Sequence, residues 1–315
     1  MGARKFKYDG MTFVHNDAPL NAFLARQLEY LEMVSYDTET PELFALKFVP
    51  IKGDIPDHVT SWKYRSFTKV GAARLLASYA DDIPRADLYM VETDTPIRPI
   101  GMGYGIDVDE LNTARATGTN LESMKAEAAK HAVDVLIDNL LAFGDADAGL
   151  PGFINAASAL SYIVPNGGGG TAPWSAKTPL EIVADMVGIC RYIPDSTGQR
   201  EKPDMLLLPT TQYFLVATTP MSASNPFITI LKYFEGVMPG VKVDYWPLLS
   251  TAGTLSSARM IAYKKDVKKI AGVLPLPFQL SAPQPNNFEW KVPGRAKCGG
   301  THAIYPLSMA QGDGI

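Results

Sequence analysis

Cysteine is almost absent from this chain: 315 residues contain two, Cys190 and Cys298. They lie far apart, with no CxxC and no cysteine–histidine spacing suited to zinc, so a disulfide framework and a sequence-local zinc site are both excluded. Free thiols fit a reducing compartment. Histidine is scarce too, and His15, His58, His131 and His302 sit in unlike contexts, none paired at ligand spacing. Each is expected in a packing or surface role. Long apolar runs are missing as well: none approaches the roughly 18 residues of a membrane span. The basic start runs into Asp9-Gly10 instead of an apolar signal core, so neither secretion nor a membrane partner is expected. Excess positive charge is lacking, since 29 basic residues face 33 acidic ones for a net charge of -4. That balance argues against a protein that grips nucleic acid by counterion release, although enclosing it needs no such grip.

What is abundant is punctuation. There are 24 prolines and 26 glycines, too many for a helical bundle, and 46% hydrophobic with 20% charged residues marks an ordinary globular chain. Residues 1–20 read as an extended arm. Leu20, Phe23, Leu24, Leu28, Leu31 and Val34 recur at helical spacing, and Leu43 to Ile51, bounded by proline, reads as strand. Between His58 and Val70 the pattern alternates, with Trp62, Tyr64 and Thr68 on one face and Lys63, Arg65 and Lys69 on the other. A turn at Ala80 to Asp87 returns the chain through Leu88 to Glu92, which makes a hairpin with few apolar residues for a core of its own. Two strands alone are marginal in water, so the hairpin is expected to lie on something else, a neighbouring subunit being the natural candidate.

A strand from Thr95 to Val108 follows. Thr119 and Glu122 form a capping-box pattern before the longest element, a helix to Phe143 whose apolar stripe reads Leu121, Met124, Ala128, Val135, Leu136 and Phe143. Gly149-Leu150-Pro151-Gly152 is its exit. Beyond the tetraglycine run Gly167 to Gly170, read as a flexible loop, Thr178-Pro179-Leu180-Glu181 opens a second helix to about Tyr192. Met205 to Leu208 reads as a buried strand, Asn225-Pro226 as the start of a helix through Phe234, and Val241–Trp246 and Arg259–Tyr263 as strands. An α/β region over 156–270 results, followed by short strands from Leu276 onward.

Catalytic signatures do not assemble. There is no GxSxG elbow, and neither the tetraglycine run nor Gly101-Met102-Gly103-Tyr104-Gly105 has the context of a phosphate loop. Asp81-Asp82 suits a soluble hairpin tip, and Asp107, Asp109 and Glu110 lack the ligand spacing of a calcium loop. Cys298 and His302 are the one thiol–imidazole pair close in sequence, with a small buried cysteine the plainer reading. No catalytic residue, cofactor or metal is expected.

This order of arm, hairpin, strand, long helix, Gly-Leu-Pro-Gly exit and α/β region resembles the HK97-like major capsid proteins of tailed bacteriophages, in the short branch without a long N-terminal scaffolding domain. The resemblance implies an α+β fold with an N-terminal arm and helix over 1–51 and an extended E-loop hairpin over 52–94. It implies a P-domain over 95–155 and 271–315 with its spine helix at 119–143, and an α/β A-domain over 156–270. In function it implies a non-enzymatic major capsid protein that self-assembles through pentamers and hexamers into an icosahedral shell. That shell would enclose double-stranded DNA without sequence-specific binding, with a portal and a separate scaffolding protein as partners. Its place would be the virion capsid, after assembly in the host bacterial cytoplasm. The intersubunit hairpin is expected to act through Trp62, Tyr64, Arg65, Tyr79, Asp81, Asp82, Ile83, Pro84 and Arg85, and a hinge is expected at Gly149, Pro151 and Gly152. Lys52, Lys63 and Lys69 lie where some relatives crosslink, but no activating acid is identified and no crosslink is expected. An encapsulin-type shell and an α/β enzyme are the alternatives.

Overall fold

The computed structural model describes residues 5–8, 11–14, 42–73, 85–118, 120–222 and 225–315. The expected helix over 20–34 and the hairpin-tip residues Tyr79, Asp81, Asp82, Ile83 and Pro84 lie outside them. Two units are distinguished, Met1–Glu42 and Leu43–Ile315. The first contains β1 (Lys5–Tyr8) and β2 (Met11–Val14), antiparallel in the register Lys5↔Val14. Eight residues of the expected arm therefore form a ribbon, and Asp-Gly in the sequence between its strands is the usual signal for one.

The second unit begins with a correction. Residues expected as strand form a single helical turn, α1 (Ala45–Phe48), and only Ile51–Lys52 (β3) is extended. The cause lies 93 residues away, where the buried carboxylate of Asp138 accepts the Ala45 N–H at 2.7 Å. An acidic group at a helix N-terminus satisfies an orphan donor and the local dipole. Burial nevertheless pushes the Asp138 carboxyl above its ordinary range, against the lowering effect of the N–H groups of Ala45 and Leu46.

Strands β4 (Ser61–Val70) and β5 (Asp87–Pro96) pair antiparallel over ten residues each, from Ser61↔Pro96 to Val70↔Asp87. At about 3.3 Å per residue the ribbon reaches some 33 Å. Next, β6 (Arg98–Asp107) ends at α2 (Val108–Thr117), a helix the sequence reading passed over. Asp107 and Glu110 are its capping box, the Glu110 carboxylate accepting the Asp107 N–H and a 2.6 Å contact from Lys125. The acidic cluster weighed as a cation site is thus a helix start.

The long helix α3 runs Leu121–Ala142, about 33 Å. Its cap is Asn120, whose side chain accepts from the Ser123 N–H, one residue later than the expected Thr119, which lies outside the described residues. Its buried face is also not the expected one. Ala129, Val133, Ile137 and Leu141 face the core, whereas Met124 and Leu136 are nearly half exposed. Two apolar stripes share this helix; the expected one is the outer, and the inner one includes the buried Asp138.

After α3, β7 (Gly144–Asp145) and β8 (Leu150–Pro151) close a tight turn, and β9 (Leu160–Ile163) leads to α4 (Pro179–Thr197). The Thr178/Glu181 box and first-turn proline stand as expected, but α4 continues past Tyr192 and through Pro194 to a left-handed Gly198. Glu181 also takes the Gly168 N–H at 2.7 Å, and Gly170 N–H bonds Gly167 O, so the tetraglycine run is tied to the helix start. Then follow β10 (Met205–Leu208), α5 (Thr210–Thr218, unforeseen), β11 (Pro220–Ser222), β12 (Asn225–Thr229) and α6 (Ile230–Val237). Here Asn225-Pro226 opens a strand, and the helix starts five residues later at Ile230, behind the cap Thr229, whose side chain accepts the Lys232 N–H.

The remaining strands are β13 (Lys242–Tyr245), β14 (Arg259–Tyr263), β15 (Ile270–Val273), β16 (Leu276–Leu280), β17 (Gln284–Asn286), β18 (Glu289–Cys298), β19 (Thr301–Ala303) and β20 (Met309–Asp313). Five form one sheet in the order β13-β10-β14-β20-β9, so the last strand lies with the elements of 156–270. A second sheet joins β16, β18 and β17, with β6 paired along the length of β18.

The five-stranded sheet divides the core. Side chains alternate across a strand, and Leu207, Ile261 and Tyr263 pack with Val133, Ile137 and Leu141 of α3, while Leu206, Leu208, Met260 and Ala262 pack with Ile182, Met186 and Ile189 of α4. Covered on both sides, β10 reads as an unbroken apolar run.

Candidate assembly surfaces

In the β4–β5 hairpin, residues opposite one another share a face. One face carries Trp62, Tyr64, Val91 and Tyr89; the other carries Lys63, Arg65, Phe67 and Met90. The inner half of the first face is seated on its own subunit. Trp62 lies edge-on to the His302 ring at 5.7 Å, Tyr64 lies 6.4 Å from it, and Thr95 is buried. His302 sits near Gly299 O through Nε2 at 2.9 Å, and because a carbonyl only accepts, Nε2 carries the proton. Nδ1 is then left to face the Thr95 hydroxyl at 3.4 Å. Burial lowers the imidazole pKa, the Gly299 bond opposing it. Cys298, weighed as a thiol partner for this histidine, is buried, with its pKa raised by burial and its sulfur accepting the Gly300 N–H. Cys190 is buried inside α4, its thiol pushed up to about 12 by desolvation.

The outer half of the hairpin has no such seat. Phe67, Leu88, Tyr89, Met90 and Val91 are each more than half exposed. On the charged face Lys63 stands 3.6 Å from Asp94, and Arg65 3.0 Å from Glu92. Exposed pairs of this kind add little stability, but they stiffen register and keep the ribbon soluble. Arg85, before β5, is exposed.

The expected hinge residues line the same cleft as the hairpin base, with Thr93, Thr95, His302 and Phe143. Gly149 adopts φ +72° at the turn between β7 and β8, where a Cβ would meet only Pro96 at 3.6 Å. Pro151 is paired with Gly144 in β8. Gly152 is different: a Cβ there would stand 2.2 Å from the Phe143 carbonyl carbon, and the next residues are pinned by Phe153 N–H to Leu141 O and Ile154 N–H to Ala142 O. Close packing, not freedom, is what Gly152 supplies.

Among the described residues, no group of three or more His, Cys, Asp or Glu could hold a metal ion, and no helix is long and apolar enough to cross a membrane.

Comparison with known proteins follows the same architecture. The structure superposes on the capsid of Myoviridae phage XM1 with a TM-score of 0.78 at 17% identity, covering 92% of this chain and 98% of that one. It is similar to a chain of Mycobacterium phage Bobi (TM-score 0.62, 12% identity, 93% and 97% covered) and to the capsid of a native GTA particle (0.63, 7%, 93% and 97%). No curated protein sequence matches. These likenesses establish the fold as HK97-like, the mixed helix and strand architecture that the element order implies. The family model described as major capsid protein matches residues 71–315, well over half of the chain. On that match, with the hairpin, spine helix and divided sheet in place, the chain belongs to the major capsid protein family and serves as a subunit of a capsid shell.

Proposed function

We propose that this capsid protein assembles through pentamers and hexamers into an icosahedral virion shell that encloses double-stranded DNA, and that it does so without enzymatic activity. Residues 52–94 act as the E-loop, 95–155 with 271–308 as the P-domain around the spine helix α3, and 156–270 with β20 as the A-domain. A separate scaffolding protein and a portal complete assembly in the host bacterial cytoplasm.

One observation carries the reading: the outer half of the hairpin exposes apolar side chains, Tyr89 and Val91 on one face and Phe67, Leu88 and Met90 on the other, that its own subunit leaves uncovered. Such a patch on a soluble protein marks an interaction surface, and a neighbouring copy covers it at every site of a symmetric shell. Each contact is modest, and closure of many identical contacts makes the shell stable. The Gly149 turn, open to small changes in φ and ψ, and the hairpin base absorb the differences between pentamer and hexamer environments.

Deleting residues 72–86 tests this. The subunit is expected to fold with an unchanged far-ultraviolet spectrum and to remain mostly unassembled in sedimentation and electron micrographs. Wild-type yields of closed shells from the deletion variant would show that the hairpin clamps nothing.

A further inference from the structure

The overall charge of -4 conceals a face of the opposite sign. At one end of the five-stranded sheet, the loop before β10, the start of β13, the loop after β14 and the helical turn α1 converge. Asp204 ties them together: its N–H bonds Tyr263 O, its carbonyl takes the Lys242 N–H at 2.8 Å, and its carboxylate takes the Lys265 N–H at 2.7 Å. Lys265 in turn reaches Lys47 O with its ammonium at 2.6 Å, and Lys47 and Lys242 both approach Asp244. Lys269 contacts Glu201 and lies over the Tyr305 ring.

Four more cations, Arg200, Lys202, Lys264 and Lys268, stand on the same two loops and form no ion pair with any described residue. Eight basic residues thus meet the four carboxylates Glu201, Asp204, Asp244 and Asp266. Beside them runs a cleft of about 330 Å³, lined by Arg200 and Glu201, by the hydroxyl residues Ser196, Thr197 and Ser308, and by Pro306 with the half-exposed Tyr305 and Leu307.

We infer that this basic face contacts the phosphate backbone of nucleic acid, the duplex the shell encloses. The inference rests on the capsid reading for the identity of its ligand. Its chemistry favours phosphate over protein. Lysine is depleted at protein interfaces, whose centres are apolar and aromatic, and loops 199–204 and 264–269 expose no large apolar side chain. Phosphate contacts, by contrast, come from Lys, Arg and hydroxyl side chains and carry no sequence information. A net-charge argument fails here because the interaction is local: exposed charges more than a Debye length away, about 8 Å at physiological salt, are largely screened.

The test uses the unassembled full-length chain and a short fluorescein-labelled duplex of random sequence, followed by anisotropy between about 50 and 200 mM salt. The variant R200Q/K202Q/K264Q/K268Q is expected to bind on the order of tenfold or more weakly at the lower salt. Its plot of log affinity against log salt should be shallower by about 0.9 for each cation that touches a phosphate. An equal loss of charge elsewhere, R115Q/K130Q/K232Q/K291Q, should leave both quantities near wild type. The two halves, R200Q/K202Q and K264Q/K268Q, should each produce part of the effect, which guards against one misfolded variant. Equal affinity and slope in wild type and the loop variant would overturn the inference, as would a wild type that does not bind at all. Unchanged duplex binding with lost shell assembly would assign the face to an acidic surface of a neighbouring copy instead. Failure of the wild-type chain to form shells would count against the capsid reading, separately from the binding result.

Discussion

Strand β10 and the β4–β5 hairpin are both strand structure carrying large apolar side chains, yet those side chains end in opposite conditions. All four residues of β10 are buried, with α3 on one side of the sheet and α4 on the other. Along the outer hairpin, Leu88 to Val91 are all exposed, although their register with Lys69 to Ser66 is unbroken. The difference is in what covers them. β10 has a parallel neighbour, an antiparallel neighbour and two helical layers within one chain, whereas the ribbon has one partner strand and no layer. Two strands in water are marginal, so the sheet contains its own stability, while the outer hairpin gains cover from a neighbouring copy only on the reading proposed above.

The comparison breaks most readily at its closed end. Leu207→Ala removes a fully buried side chain from the layer between the sheet and α3 and is expected to cost about 2–5 kcal/mol, read as a lower urea midpoint at constant slope. A loss below about 1 kcal/mol would mean that this strand is not the centre of the core.

A smaller effect is expected where β20 is clamped to the sheet. Arg259 grips Asp313 with two nitrogens at 2.6 and 2.9 Å, and Thr254 donates to the same carboxylate through its N–H and hydroxyl. Burial works against ionisation of Asp313, but these donors outweigh it and hold the carboxyl below its ordinary range. A carboxyl lowered in the folded state stabilises fully above its unfolded value of about 3.9 and loses that contribution as pH falls through the folded value. Asp313→Asn should therefore cost on the order of 1–3 kcal/mol at neutral pH and flatten the fall of stability below about pH 4. Glu92→Gln, which removes the acid of an exposed hairpin pair, should cost about 1 kcal/mol or less. Identical acid limbs for wild type and Asp313→Asn would remove the clamp from the account.

Legibility in the sequence followed locality. The Thr178/Glu181 capping box, the apolar run of β10 and the alternation of Trp62 and Tyr64 against Lys63 and Arg65 are each decided within a few residues, and each stands in the structure. The turn α1 was misread because its cap, Asp138, belongs to another helix. The buried face of α3 differs from the expected stripe, and that same aspartate, charged in the sequence, lies buried on the inner face, where a pattern of apolar residues alone does not place it. For α2 the signal was present: Asp107 and Glu110 have capping-box spacing, and a cation site was weighed in its place. Local pattern also could not reveal the basic face, since its members come from four separate stretches that only the sheet brings together.

The smallest stability effect gives the sharpest test of the comparison. Tyr89 and Val91 continue the face on which Trp62 and Tyr64 rest against their own subunit, while Phe67 and Met90 continue the charged face. The hairpin base has its first face turned towards the body, so on the clamp proposed above that face is the one expected to meet a neighbouring copy. Both Tyr89→Ser with Val91→Ser and Phe67→Ser with Met90→Ser alter exposed side chains, so the urea midpoint of the isolated subunit should move by no more than about 0.5 kcal/mol per substitution. Assembly should separate them, with the Tyr89/Val91 pair losing shells in sedimentation and micrographs while the Phe67/Met90 pair retains most of them. Should the Phe67/Met90 pair prove the more damaging, the ribbon presents its charged face to the neighbour. Should neither pair reduce assembly, its exposed apolar side chains are not the interface, and the contrast with β10 would need another cause.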